Sequence, residues 1–296
     1  MHLPLPDLPF VHTVLSEAQW TTRRAAHRDR HEPFVREQVE RRNRGRRDPT
    51  MDFLFEYYSY PPSRFLRWSP GFGVMLQGVG AERFLENPRW RRHALGVYLS
   101  LDRARQRSRA LRWIHELLAA TAARTPMFAC FGMHEWALVH DRELMHPTFE
   151  LRVSRDQIAE QLHRTGLRCT HYDAFRFFSD SGKALNEHAL SAQHMLLLEQ
   201  PGCVHTNMDL YRWAWKLAPW VASEIVGEAF ELACEARRFD SAMSPYDLRS
   251  TGVQPLCIET DEGRKAYVAA QVRIWEAGVP VRQRLIDAYA AVLRHL

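Results

Sequence analysis

The chain lacks most of the signatures that would name a chemistry outright. Its five cysteines, Cys130, Cys169, Cys203, Cys234 and Cys257, are odd in number, scattered and never spaced Cys-x-x-Cys, which argues against a disulfide framework, a thiolate zinc site and cysteine redox chemistry. No apolar run approaches the roughly 20 residues needed to cross a bilayer. The opening Met1-His2-Leu3-Pro4-Leu5-Pro6 has neither the basic nor the apolar stretch of a leader, so the expectation is a cytoplasmic protein with no membrane partner. There is no phosphate-binding P-loop and no Gly-x-Ser-x-Gly elbow, and Gly78-x-Gly80 stops short of a dinucleotide fingerprint. Nucleotide-cofactor and serine-hydrolase classes therefore lose support.

Lysine is nearly absent. Only Lys183, Lys216 and Lys265 stand among 40 basic residues, which leaves 37 arginines; the 40 bases against 35 acids give a net charge of +5. A GC-rich genome produces such a bias without functional demand. Clustering is what suggests more: Arg41, Arg42, Arg44, Arg46 and Arg47 form one group, Arg89, Arg91 and Arg92 a second, and Arg103, Arg105, Arg107 and Arg109 a third. Density of this kind suits phosphate neutralisation and makes DNA a candidate partner. With 46% hydrophobic and 25% charged residues the chain has an ordinary globular composition, so it is expected to fold.

The pattern predicts a mainly α protein, one compact multi-helix domain over 1–296, with at most a short β element near 167–178. A basic helical and aromatic-rich portion occupies about 1–100, and a helical portion bearing the site about 101–296. Helices are expected over Glu17 to Arg42, from Asp102 as N-cap to Ala123, and over Met127 to His140. Further helices are expected from Ser154 to His163 with a stop near Gly166, over Asn186 to Glu199, over Met208 to Leu217, and to about Arg238. The tail from Gly263 reads as helix with a break around Gly278 to Pro280. Phe53 to Gly80, rich in aromatics, Pro and Gly, reads as irregular and packed by its own rings, and Leu167 to Phe178 as extended.

Histidines, carboxylates and aromatics gather between about Met127 and Lys216. His171-x-Asp173 is the sharpest phrase, because in an extended segment side chains two apart share a face and can converge on one ion. A distant imidazole from His188 or His205 would complete a two-histidine, one-carboxylate iron site, with Glu135 or Glu199 as a second carboxylate. The plainer reading is that His171 and Asp173 hydrogen-bond within an aromatic core. His134-Glu135 opens like a zinc-protease helix, but the position four after His134 is Leu138, which excludes that class. Glu187, His188 and His194 read equally well as a solvated helix. Asp209 is expected to sit in a surface ladder with Arg212 or Lys216.

Leu76-Gln77-Gly78-Val79-Gly80, with Asp102 downstream, looks loosely like the hairpin of helix-hairpin-helix DNA glycosylases, yet no helical bundle precedes it and the match is read as coincidence. The phrases Asp52-Phe53-Leu54-Phe55-Glu56-Tyr57-Tyr58-Ser59-Tyr60, Gly132-Met133-His134-Glu135-Trp136-Ala137, His171-Tyr172-Asp173-Ala174-Phe175-Arg176-Phe177-Phe178, Glu199-Gln200-Pro201-Gly202-Cys203 and Ser244-Pro245-Tyr246-Asp247-Leu248 carry a more extensive likeness. Through them the chain resembles, over nearly its whole length, a bacterial family commonly labelled 3-methyladenine DNA glycosylase. The resemblance implies DNA repair by removal of alkylated purine bases, with DNA as partner and no cofactor. Such an enzyme extrudes the base, stacks it between aromatics and places a carboxylate to support the sugar cation or activate water. Asp173 is the first choice for that carboxylate and Glu135 the second, with His171 orienting one of them. Trp136, Tyr172, Phe175, Trp213 and Trp215 are candidate stacking walls, and Arg41, Arg42, Arg44, Arg46, Arg47, Arg91 and Arg92 candidate phosphate contacts. The runner-up is a metal-dependent enzyme acting on a small molecule. It would bind iron, manganese or zinc through His171, Asp173 and His205, with His134, Glu135 or His188 in support. A noncatalytic nucleic-acid-binding protein is the third reading. His171, Asp173 and at least one of His134, His188 and His205 are expected to face one polar cavity, with Glu135 nearby.

Overall fold

In chain order the elements are β1 (Thr13–Leu15), α1 (Glu17–Asn43), α2 (Pro49–Glu56), α3 (Pro62–Phe65), β2 (Val74–Leu76), β3 (Trp90–His93), β4 (Gly96–Leu99), α4 (Asp102–Arg105), α5 (Ser108–Ala122), α6 (Met133–Val139), α7 (Arg155–Thr165), α8 (Tyr172–Phe175), α9 (Asp180–Leu185), α10 (Met195–Leu198), α11 (Val204–Leu217), α12 (Ser223–Ala242) and α13 (Asp261–Leu293). They come from a computed structural model that describes residues 7–141 and 149–296, apart from the Pro49 side chain; the segment Met1–Pro6 read for a leader lies outside the described residues. The fold is mainly α with a small four-stranded sheet in the order β1-β2-β4-β3. The β1 and β2 strands run parallel, and the β2–β4 and β4–β3 pairs are antiparallel.

The centre is built on α11. Its buried side chains come from every face, Val204, Asn207, Met208, Asp209, Leu210, Tyr211 and Ala214 among them, as expected of a helix wrapped by others. It packs on α12 and α13, and α5 packs on α13. On α5, Leu111, Ile114, Leu117 and Leu118 form the buried stripe at helical spacing. The long α1 is polar except for one line, Trp20, His27, His31, Val35 and Gln38, which is buried. Two apolar clusters result. The larger joins the sheet, α1, α5, α11, α12 and α13; the smaller gathers Met133, Trp136, Ile158, Leu162, Phe175, Phe178 and Tyr267. Tyr172 and Phe239 pack against both.

Several expectations need correction. The β element is not near 167–178: Leu167 makes only an isolated bridge to Asn186, and the next residues turn into α8 because the His171 ring accepts the Ala174 N–H as an N-cap. Phe53 to Gly80 holds the end of α2, all of α3 and β2. The helix expected from Asp102 is interrupted at Gln106–Arg107, and Asp102 is its first helical residue, without a capping bond. Over 186–199 the helix is reduced to a 3₁₀ turn, Ala192–His194, followed by α10. The C-terminal tail has no break: α13 continues through Pro280, held by its packing on α5, α11 and α12, with Gly278 allowing close approach to Asn207. Tertiary packing outweighs the missing N–H at one position. No helix among the described residues is long and apolar enough to cross a membrane.

Candidate active site

Between the two cores lies a cavity of about 560 Å³ lined by residues of α2, α6, α8, α11 and α12. His134 and Glu135 reach it from the first turn of α6, which starts at Gly132. That glycine has φ +65°, a left-handed conformation, and a Cβ there would meet Met243 Sδ at 2.7 Å, so turn and packing both require glycine. His205, Met208 and Asp209 are three and four residues apart on α11 and share one face. Arg237 projects from α12 one turn before Asp240.

Asp240 is fully buried and sits beneath the cavity. Its Oδ2 accepts a hydrogen bond from Arg237 Nη1 at 2.7 Å. Its Oδ1 lies 3.1 Å from His134 Nε2, a buried ion pair when the ring is protonated. His205 Nε2 is 3.9 Å from Asp240 Oδ2, and the rings of His134 and His205 meet edge-on at 4.3 Å. One ligand atom from each of His134, His205 and Asp240 falls within 4.8 Å of the others. Two ligands bonded to one ion at about 2.1 Å and about 90–110° apart are themselves about 3.0–3.4 Å apart, the spacing of the His134–Asp240 pair. Burial opposes the charge on Asp240, but His134, His205 and Arg237 outweigh it and hold the carboxyl well below its usual range. Burial likewise opposes the His134 imidazolium, and Asp240 and Glu135 reverse the balance, raising it. Burial, reinforced by the nearby His134 charge, pushes His205 down to about 3, so its ring is the neutral imidazole that ligates metals.

Beside this group, Asp209 is 1% exposed and accepts from Tyr58 Oη at 2.7 Å, with His171 Nε2 at 3.3 Å. The His171 ring stacks on His205 at 5.3 Å. Because its Nδ1 accepts the α8 cap, Nε2 carries the proton and donates to Asp209; a cation at Nε2 would require the ring to lose both protons. Burial disfavours the His171 imidazolium, but the Asp209 hydrogen bond and the Glu199, Asp209 and Asp173 carboxylates outweigh it and push the ring up to about 9. Cap and field thus compete, since the cap survives only on the neutral ring, and the bonded geometry describes that neutral form. Burial pushes Glu199, behind His171, up to about 7.

Of the residues singled out in the sequence, His171, Asp173, His134, Glu135 and His205 all line the one cavity. Their roles differ. His134 and His205 stand in the ligand group, whose carboxylate is Asp240 and not Asp173. Asp173 is bonded by Arg212 and pairs with Arg176 at 3.4 Å, and Glu135 pairs with Arg237 at 3.5 Å. His188 is absent from the cavity wall and lies after α9, where its carbonyl accepts the Asn186 side chain. None of the proposed stacking aromatics lines the cavity. Trp136 and Phe175 fill the smaller core, Trp213 the larger, Tyr172 packs between the two, and Trp215 stacks on Tyr60. Phe53, Tyr57, Phe149, Phe177 and Tyr246 line it instead.

The arginine clusters are partly paired. Arg41 meets Asp48 and Asp52, Arg42 meets Asp52 and Glu56, Arg44 meets Glu40, Arg47 meets Glu56, Arg91 meets Asp102 and Arg92 meets Glu82. Arg105 also meets Asp102, whereas Arg46, Arg89, Arg103, Arg107 and Arg109 pair with no acid among the described residues. Asp209, expected on the surface, is a buried member of the site. Its place four residues after His205 on a helix was a readable signal; Asp240, three after Arg237, has the look of any helical charge pair. Comparison with protein-family models, with curated proteins and with solved structures finds no match for this chain.

Proposed function

We propose that the protein is a metal-dependent enzyme acting on a small molecule, with His134, His205 and Asp240 as ligands of one divalent cation of iron, manganese or zinc. One observation carries this reading: two imidazoles and a carboxylate, those of His134, His205 and Asp240, present ligand atoms within 4.8 Å of one another where His134 and His205 line the cavity. Without a cation His134 and Asp240 pair with each other, and a bound cation would take the place of the proton between them. Two imidazoles and one carboxylate leave coordination positions open, where a cation polarises a substrate oxygen or lowers the pKa of bound water. Glu135, 3.8 Å from His134 and facing the cavity, is placed to take up a proton there, and Arg237 fixes Asp240 through its other oxygen. The test is metal analysis of untagged protein with titration of zinc or manganese into the chelated form. Near-stoichiometric binding is expected, weakened at least about 100-fold by His205→Ala or Asp240→Asn. Protein that retains no metal and takes none up would overturn the reading.

Removal of alkylated purines from DNA is the second reading, and it too has an observation in its favour: Asp173 and Glu135 face one aromatic-walled cavity. It ranks behind because Asp173, the first-choice carboxylate, is engaged by Arg212 and Arg176, the phosphate-binding candidates are mostly paired with acids, and the space is wider than a snug fit to one flipped base. Release of free alkylated base from methylated duplex DNA by metal-free protein would restore it to first place. The noncatalytic nucleic-acid-binding reading has no feature of the cavity in its favour.

A further inference from the structure

We infer that the cavity accepts an uncharged, predominantly aromatic or alicyclic molecule; the inference rests on the metal-enzyme reading only for the end that would meet the cation. The wall is rich in ionisable groups, and away from His134 and His205 those among the described residues are matched. Arg47 pairs with Glu56, Asp52 with Arg41 and Arg42, Asp173 with Arg212 and Arg176, and Arg237 with Glu135 and Asp240. Asp209 receives the Tyr58 hydroxyl and the His171 ring. Away from the end that would meet the cation, a charged ligand must break one of these pairs or lie desolvated without a counterion, and either is costly.

Phe53 offers no open ring face to an organic cation. A cation binds the face of a ring, and Phe53 has one face against Tyr57, stacked at 4.8 Å with 8° between planes, while the Arg237 guanidinium lies 4.3 Å from the ring centre. What Phe53 offers the cavity is its edge, the positive rim of the quadrupole, which favours the π-face of a neutral ring or a carbonyl oxygen. Leu138, Val139, Ala174 and Met208 complete an apolar wall. Binding there comes from excluded water and ring contact, and so should depend little on salt.

The experiment uses the full chain after chelation, with three probes of one shape: 2-naphthol, 2-naphthoate and 2-naphthylmethylammonium, followed by fluorescence at low and high ionic strength. Naphthol is expected to bind at least about tenfold more tightly than either ion. Its dissociation constant should change less than about twofold with salt. Ala174→Phe and Leu138→Trp, which fill the cavity from α8 and from α6, should each weaken naphthol binding, and either one that folds suffices for the comparison. Tighter binding of an ion, strong salt dependence, indifference to both filling variants, or no saturation by any probe up to about 1 mM would overturn the inference. Metal content is measured on the same preparation before chelation, so failure of the ligand class and failure of the metal reading give separate results.

Discussion

His31 lies on the buried line of α1, 4% exposed, with its ring 4.8 Å from those of both His27 and Phe65. Burial, aided by the charges of His27 and Arg30, lowers it from its ordinary value of 6.5 to about 4. A group whose folded value is depressed contributes stability that is complete above the unfolded value and is lost as pH falls toward the folded one, here between 6.5 and about 4. Urea unfolding between neutral pH and the lower end of that window should therefore show a steep loss of stability. In His31→Gln that loss should be smaller by about 2 kcal/mol. An unchanged pH slope in the variant would contradict the assignment. Single residues were unevenly legible. Histidine and acid pairs such as His134-Glu135 and His171-x-Asp173 drew notice because imidazole has few other uses near neutrality, and these residues do meet at the cavity. Asp240 was silent, because its importance comes from the crossing of α12 with α6 and α11 and from nothing in its own neighbourhood.

Helix starts are written in a few adjacent side chains. Ser154 caps α7, its Oγ accepting from Gln157 N while Gln157 Oε1 accepts from Ser154 N, and Gly166 ends the helix, so this element was readable with both limits. Ser154→Ala should cost about 1 kcal/mol in urea unfolding without changing metal content. Interior breaks were not readable in the same way. Gly278 and Pro280 promise an interruption of α13, but a Cβ at Gly278 would lie 2.1 Å from Asn207 Oδ1, the atom that accepts from buried Arg282. The glycine is there for contact between helices. Gly278→Ala should accordingly destabilise by about 2 kcal/mol or more, although alanine is the better helix former by about 1 kcal/mol. A gain in stability would contradict this packing. The segment 167–178 failed in the opposite sense: its alternation resembles a strand, and one ring-to-backbone bond from His171 closes a helical turn instead.

Across the whole molecule, 40 basic residues, 37 of them arginine, against 35 acids leave a modest net charge of +5, and more than half of the clustered guanidiniums found acidic partners on folding. Composition displays the charges and hides the pairing, since partners such as Arg92 and Glu82 are joined only by the fold. Binding to duplex DNA should therefore be weak, lost at physiological salt and indifferent to alkylation of the bases. A preference for methylated over unmodified duplex, measured by anisotropy at that salt, would favour the glycosylase reading. The mainly α architecture was legible from periodicity and caps, whereas the position of the sheet and the floor of the cavity depend on contacts distant in sequence. The most direct test of the central claim is anomalous diffraction from crystals of the zinc- or manganese-loaded protein. One strong peak is expected within about 2.0–2.3 Å of His134 Nε2, a His205 ring nitrogen and an Asp240 oxygen. A peak at His171 and Asp209, a peak only at surface histidines, or no peak at all would contradict it.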